Sequence, residues 1–310
     1  MNASACCPVV ELRQYTLVPG KREKLIALFE QEFIESQEST GMIVVGQFRD
    51  LNNPNRFVWI RGFNDMTSRA SQLQEFYGGP VWKKNREAAN ATMIDSDNVL
   101  LLRPAFPNSG FCLEHASRPT PGSRGQVAGL LVATIYHLGT MAGAAFADFF
   151  AGNLQSILTE AGVSVLASFV TETHSNTFPA LPVREDANVF IWFSSVANGA
   201  IHEQRKTRIA DLLRQKKTGR TTRESCRLAG GIASFADNSV ASARKSFWLT
   251  LKKSNLKPSF RSNETKQKPE EQIENKSQSS WLVRDLCSRY RAGQSLLREY
   301  VSSNSRAFTE

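Results

Sequence analysis

The chain has 310 residues, of which 41% are hydrophobic, and its formal net charge is +9. This length allows two domains or one duplicated domain, and the hydrophobic content is sufficient for a buried core. The charge is unevenly distributed: residues 1–213 carry a net charge of −2, whereas residues 214–310 carry +11. This distribution excludes a uniformly basic nucleic-acid-binding fold. It is typical of a solvated tail and does not favour contact of that tail with nucleic acid or a membrane.

The cysteines and the N-terminal residues limit the class of protein further. The five cysteines are odd in number, form no CxxC pair and have no histidine at ligand spacing, so we predict neither a disulfide framework nor a metal site. The nucleotide-binding motifs GxGxxG and GxxxxGKS are absent from the sequence, and we expect no cofactor. No targeting segment and no long apolar run is evident, so we expect a cytoplasmic protein.

The first part of the chain predicts the order β-α-β-β-α-β. Strands are indicated by β-branched, alternating segments, and helices by apolar residues at helical spacing. Gly41 follows the first helix as a C-terminal signal, and a Gly-Gly-Pro break interrupts the second helical region. This order is that of a ferredoxin-like unit. In chain order the predicted elements are residues 9–17, 21–39, 42–49, 56–63, 65–93 and 97–103.

A repeat then becomes visible. Adding 121 to a position carries Tyr15 onto Tyr136 and Gly41 onto Gly162, and adding 133 carries Trp59 onto Trp192. The difference between the two offsets is an insertion in the loop THSNTFPALPVRED. Because a four-stranded sheet with helices on one face needs a cover for its other face, two such units can cover each other. We therefore predict an α+β fold, in which tandem ferredoxin-like repeats pack sheet to sheet as an intramolecular pseudo-dimeric α/β barrel.

The predicted domain boundaries follow from this repeat. The first domain is assigned to residues 9–106, the linker to residues 107–125 and the second, diverged domain to residues 126–229. Within the second domain, residues 224–229 are the expected fourth strand. Residues 230–310 are expected to form a basic, largely disordered tail, with a helical pattern at 281–301 that suits a docking or membrane-surface helix, or one folded back on the barrel.

The motifs ELRQYTLVPGKR, GQFRDLNNPNRFVWIRGF, FYGGPVW and ANATMIDSDNVLLLRPA resemble the NIPSNAP family in order and spacing. The resemblance covers residues 9–105 and, more weakly, residues 126–215. It implies the ferredoxin-like fold of the dimeric α/β-barrel superfamily. It implies little chemistry, because no reaction or catalytic residue set is firmly assigned to the family, whose bacterial members are mostly soluble proteins of unknown activity.

Candidate site residues lie on the two strands that are central in such a sheet. Glu11, Arg13 and Tyr15 share one face of the first strand by the period of two, and Trp59 and Arg61 share one face of the third. Since buried charges are costly unless paired, these residues form either an ion pair that closes the sheet or a ligand pocket. In the pocket interpretation an arginine holds an acid or enolate, Tyr15 donates a hydrogen bond, and Trp59 forms the wall together with Trp82.

The second copy has Val132, Thr134 and Ser194 at the positions of Glu11, Arg13 and Arg61, but it keeps both aromatic residues. This difference favours a specialised pocket in the N-terminal half, although drift of the two copies explains it as well. Asp95 to Asn98 fit turn and capping chemistry, or a base at the barrel entrance.

Three functions remain open from the sequence. The first is a NIPSNAP-type barrel that binds a small molecule or a protein partner. The second is a cofactor-independent oxygenase or isomerase acting on a small aromatic or acidic substrate, by analogy of fold. The third is a tethering role of the basic tail, with salt-sensitive binding to nucleic acid or anionic lipid.

Overall fold

The computed structural model describes residues 6–113, 129–218 and 244–251. These residues form an α+β fold of antiparallel strands and helices, as predicted. The strands are β1 Val9–Leu17, β2 Ile43–Asp50, β3 Arg56–Phe63, β4 Met93–Asp95, β5 Val99–Pro104, β6 Leu130–His137, β7 Val165–Thr171, β8 Val189–Val196 and β9 Arg244–Leu251. The helices are α1 Arg22–Leu28, α2 Ile34–Glu38, α3 Met66–Gly78, α4 Pro80–Asn90, α5 Gly143–Phe149, α6 Gln155–Glu160 and α7 Gly199–Thr218.

Local sequence signals explain where the helices begin and end. The carboxylate of Asp65 caps α3 by accepting a hydrogen bond from the Ser68 backbone N–H at 2.6 Å. Helix α4 begins with Pro80 in its first turn, after the expected break. Gly41 follows α2 with a φ of +93°, a backbone conformation that other residues adopt only with strain. One π-helical segment, Phe29–Phe33, joins α1 to α2, and another, Phe150–Leu154, joins α5 to α6.

The strands curl into a ring of backbone pairings. The hydrogen-bonded order is β3-β2-β9-β6-β8-β7-β5-β1-β4, and β3 also pairs with β1, so that eight strands close on themselves and β4 lies beside β1. All the pairings are antiparallel. Within the sheet, the N-terminal half pairs with the rest of the chain at two places, β2 with β9 and β5 with β7.

Strand β9 was not predicted from the sequence. It pairs with β6 along seven residues and with β2 along three, and so lies between the two. This strand falls within residues 230–310, for which the sequence predicts a largely disordered tail. The segment predicted to be the fourth strand of the second unit, residues 224–229, and the helical pattern at 281–301 lie outside the described residues.

The ring encloses an apolar core, and the charged residues lie on its other face. Leu12 and Ile60 point inward and pack with residues from β6, β7 and β8, while Glu11 and Arg61, one position away, face the helices. Two further cores fill the layers between sheet and helices, one in each half of the chain. The candidate charges are therefore buried under helices and not inside the barrel.

A disulfide joins the neighbouring residues Cys6 and Cys7, which the sequence analysis did not predict. Cys7 is buried in the barrel core and lies against Gly62 of β3. A Cβ atom at position 62 would overlap the sulfur and the Cβ of Cys7. The strand therefore requires glycine at this point because another part of the chain approaches its backbone closely.

Candidate functional site

A cluster of buried charges forms the centre of the helix-covered layer in the N-terminal half. Glu11 on β1 lies directly opposite Arg61 on β3 in the strand pairing. Its Oε2 atom accepts hydrogen bonds from Nη1 of Arg13 at 2.7 Å and from Nε of Arg61 at 2.8 Å. At most 1% of each of these three residues is exposed. The alternation along the two strands thus brings the predicted ion pair together, with both arginines on one carboxylate oxygen.

A third arginine completes this cluster from helix α3. Arg69 is fully buried and its Nε donates to the other carboxylate oxygen of Glu11, at 2.7 Å. The sequence analysis missed it. A signal was present, because Arg69, Leu73 and Phe76 recur at the spacing of one buried helix face.

Glu11 stays ionised in these surroundings. Burial by itself raises its pKa, but the three guanidinium groups, Arg61 most strongly, outweigh burial and hold the pKa well below the usual range. Burial lowers the pKa of Arg69. Burial acts in the same direction on Arg13, but Tyr15 and Glu11 outweigh it and raise the pKa of Arg13 above its usual range. One carboxylate thus faces three cations, and the cluster has a formal net charge of +2.

Neutral groups stabilise the excess positive charge in part. Arg13 donates from Nε to the Tyr15 hydroxyl at 2.8 Å, and Arg61 donates from Nη1 to Oε1 of Gln37 at 3.0 Å. The guanidinium of Arg61 also lies 5.0 Å from the centre of the Trp59 ring, within the range of a cation–π interaction. Nη2 of Arg61 has no acceptor among the described residues. The cluster is therefore partly, and not fully, satisfied.

An aromatic cleft adjoins this cluster between the sheet and the helices. The space in it that a water-sized sphere can reach is about 30 Å³. Tyr15 and Gln37, which bind the arginines, are part of its lining, so the cleft and the charge cluster share two side chains. The other lining residues are apolar or aromatic: Leu25, Phe29, Phe33, Trp59, Phe76, Tyr77, Trp82, Ala89 and Met93.

The inserted loop of the second half reaches across to this site. Nη1 of Arg69 donates to Oδ1 of Asn176 at 2.9 Å and to the Thr177 hydroxyl at 3.2 Å. The next residue, Phe178, stacks on Tyr77 with the ring centres 6.0 Å apart. The insertion that the repeat comparison identified therefore contacts the N-terminal half, which the sequence analysis did not foresee.

The six predicted site residues lie close together in the structure but fall into two sets. Tyr15, Trp59 and Trp82 line the cleft. Glu11, Arg13 and Arg61 form the charge cluster behind it and do not themselves line it. Whether these residues bind a ligand stays a prediction. Asp95, a weaker candidate, is exposed, and its carboxylate accepts a hydrogen bond from the Asp97 backbone N–H, which is turn chemistry.

The corresponding layer of the second half carries no such charges at the paired positions. Val132 lies opposite Ser194 where Glu11 lies opposite Arg61 in the first half, and Thr134 lies opposite Trp192. Trp192 keeps its place in an apolar core with aromatic neighbours. The two layers thus share an aromatic framework and differ in charge.

Comparison with known proteins identifies the N-terminal part of the chain. Residues 10–106 match the family model described as NIPSNAP, so this part is a NIPSNAP domain. The match ends before the predicted second domain. No curated protein matches the chain.

Solved structures resemble the fold. A NIPSNAP family protein of unknown function from Agrobacterium tumefaciens is 23% identical over 34% of this chain and 91% of its own, with a TM-score of 0.30. An uncharacterized NIPSNAP domain protein from Burkholderia xenovorans is 18% identical over 31% of this chain and 93% of its own, with a TM-score of 0.29. A candidate monooxygenase of Fusobacterium nucleatum is 10% identical over 81% of this chain and 94% of its own, with a TM-score of 0.47. With TM-scores below 0.5, none of these proteins lends this chain a function.

Two further properties concern the described part of the chain alone. Residues 6–113, 129–218 and 244–251 contain no group of three or more histidine, cysteine, aspartate or glutamate side chains placed to hold a metal ion. Within the same ranges, no helix has the length and apolar character needed to cross a bilayer.

Proposed function

We propose that this protein is a small-ligand-binding α/β barrel of the NIPSNAP type, built from two tandem units in one chain, and that its binding site is the aromatic cleft of the N-terminal half. The single observation that carries the binding role is the contact between this cleft and a buried cluster of one carboxylate and three arginines through Tyr15 and Gln37. Buried charge that no strand pairing requires is typical of functional sites.

Two features support the tandem arrangement. The π-helical segments Phe29–Phe33 and Phe150–Leu154 are separated by the same offset of 121 residues that aligns the repeats in the sequence. Moreover, the sets β2-β3-β1-β5 and β7-β8-β6-β9 have the same internal order. In each set the two central strands are the ones that come first and third along the chain, apart from the short β4. On this basis we propose domain boundaries at residues 9–106 and, for the second unit, from residue 126 to a fourth strand at β9.

The walls of the cleft, and not its volume, are those expected of a small-molecule site. The space in it that a water-sized sphere can reach is about 30 Å³, below the range of about 300–1,000 Å³ of formed small-molecule sites, so its side chains have to move apart to admit a ligand. Its walls are rigid aromatic rings that contact one another, such as Phe29 with Trp59 at 4.7 Å between ring centres and Tyr77 with Trp82 at 4.8 Å. Such walls present flat, mainly apolar surfaces to a molecule that enters between them.

The test of this proposal is native mass spectrometry of the purified full chain, with Trp82→Ala as the variant that removes one wall of the cleft. Trp82 is half-buried, so the fold is expected to survive its truncation. Phe149→Ala is the matched control, a half-buried aromatic residue on a helix of the second half. We expect a small molecule to be retained by the wild type and by Phe149→Ala and lost from Trp82→Ala. Equal retention by all three proteins, or an empty wild type that no small aromatic compound stabilises against heat, would contradict the proposal.

An enzymatic role is the second candidate. The Tyr15 hydroxyl next to Arg13 is suited to stabilise a developing enolate, as a cofactor-independent oxygenase or isomerase on an aromatic or acidic substrate would require. Against this role, the described lining of the cleft contains neither a carboxylate nor a histidine that would serve as a base. Burial raises the pKa of Tyr15, which keeps its hydroxyl protonated. Binding without catalysis is therefore the better supported function.

The remaining predictions concern parts of the protein beyond this site. The tethering role of the basic tail rests on residues outside the described ranges, apart from β9. A protein partner and a cytoplasmic location likewise remain expectations from the sequence.

A further inference from the structure

The disulfide between Cys6 and Cys7 is not explained by stability. A disulfide stabilises a fold mainly by restricting the unfolded chain, and this effect grows with the length of the loop that the bond closes. Cys6 and Cys7 are neighbours in the sequence, so their bond closes the smallest loop that a chain can form. It ties no second element to β1, because both residues precede that strand. The pair is therefore a candidate for chemistry and not for stabilisation.

The two cysteines differ in their access to solvent. Cys7 is 1% exposed and belongs to the apolar core of the barrel, whereas Cys6 is half-buried and packs against this core. A thiol from solution therefore meets the pair from the side of Cys6. The sulfur of Cys7 is then the leaving group, and its burial in apolar surroundings favours the neutral thiol form.

Both cysteines are held in place by contacts other than the bond between their sulfur atoms. The side chain of Cys7 lies against Gly62 of β3, where a Cβ atom would overlap it. The backbone N–H of Cys6 donates to the Phe111 carbonyl at 2.9 Å. Phe111 is itself buried, with its ring centre 5.2 Å from that of Phe169 on β7. Two thiols that stay anchored side by side after reduction re-form their bond readily, because their effective concentration is high.

We propose that Cys6 and Cys7 form a redox-active site that exchanges with small thiols such as glutathione. The thiolate of the small molecule attacks the sulfur of Cys6 and forms a bond with it, and the Cys6–Cys7 bond breaks with its electron pair going to Cys7, which takes up a proton. A second small thiolate then attacks the sulfur of the first and releases Cys6 as a thiol. In total, two small thiols become one small disulfide while the protein disulfide becomes two thiols, and the small disulfide drives the reverse reaction. This site goes beyond the proposed binding function, since neither cysteine lines the cleft.

The test is peptide mapping of the full-length protein after equilibration in buffers of reduced and oxidised glutathione at a series of ratios, with acid quenching and alkylation of free thiols. Because structural disulfides resist reduction by glutathione and reactive ones do not, we expect the Cys6–Cys7 bond to be lost and regained reversibly across this series. In the reduced protein we expect alkylation of Cys6 to be about tenfold faster than that of Cys7, because thiol reactivity follows exposure. Cys112 is exposed and serves as the reference for a single thiol.

Matched variants assign the two roles. Cys7→Ala leaves the accessible Cys6 without a resolving partner, and we expect its mixed disulfide with glutathione to accumulate about tenfold above the wild-type level. Cys6→Ala leaves only the buried Cys7, and we expect no glutathione adduct at that position. The wild-type titration keeps the test valid if either variant does not fold.

Three results would overturn the proposal. A Cys6–Cys7 bond that persists at every glutathione ratio would identify a structural disulfide. Two free thiols at every ratio would identify neighbouring cysteines that do not react with each other. A disulfide from Cys6 or Cys7 to Cys112 would show that the exchanging pair is a different one.

Discussion

The two helix-covered layers of this protein are built on the same aromatic framework but have different chemistry. In the N-terminal layer, Glu11 and Arg61 face each other under the helices, and in the second layer Val132 faces Ser194. Both layers fold and bury a tryptophan, so the charges are not required for the packing of such a layer. The charge cluster therefore distinguishes the N-terminal layer from the second one, and the proposed binding site is based on it.

The largest expected effect comes from removing the counter-charge of the N-terminal layer. Glu11→Gln leaves three buried guanidinium groups without a carboxylate, and we expect the free energy of unfolding to fall by about 3–5 kcal/mol. Urea denaturation at neutral pH measures the change. The control is Glu203→Gln, which breaks an exposed ion pair with Lys206 and is expected to cost less than about 1 kcal/mol. Similar costs for the two variants would show that the cluster is not held by Glu11.

A smaller effect is expected from the loop that connects the two halves. Asn176→Ala removes an acceptor of the buried Arg69 and should reduce stability by about 1–3 kcal/mol, since the arginine keeps only the longer bond to Thr177 there. Hydrogen exchange should increase in this loop and in α3. Asn188→Ala is the control, because Asn188 holds the turn at Gly139 and Met141 in the same way but does not touch the cluster. No increase in α3 exchange in Asn176→Ala would contradict a structural link between the halves.

The smallest effect is the response to acid. Because the pKa of Glu11 in the folded protein is lowered from its ordinary 4.5, the unfolded chain takes up the proton first as the pH falls. The stabilisation by Glu11 is complete above that ordinary value. Below that value the free energy of unfolding should fall, and the contribution of Glu11 alone to this fall should be about 1 kcal/mol between pH 4 and pH 3. The carbon-13 resonance of the Glu11 carboxylate measures this directly, and titration of this carbon near pH 4.5 in the folded protein would refute the assignment.

Much of the site could be predicted because it is encoded in local patterns. The period of two placed Glu11, Arg13 and Tyr15 on one strand face and Trp59 with Arg61 on another, and the structure pairs those strands. Arg69, Gln37 and Asn176 were missed because each comes from a helix or loop that meets the strands only through tertiary packing. The strand β9 was missed because its position depends on pairing with β6 and β2, which are distant in sequence.

The sequence by itself determined the order of strands and helices in the N-terminal domain apart from the short strand β4, its NIPSNAP resemblance and which candidate residues share a face. It did not determine whether that face of the sheet would line the barrel interior or lie under the helices. The charges were compatible with a barrel interior or with a layer under helices, because alternation specifies two faces without specifying what covers each. Closure of the ring decided this by enclosing Leu12 and Ile60 with the apolar residues of the second half. A dry barrel interior favours apolar side chains from both halves, so the charged face lies on the outside of the barrel, toward α3 and the aromatic cleft. Only the tertiary structure decided this placement.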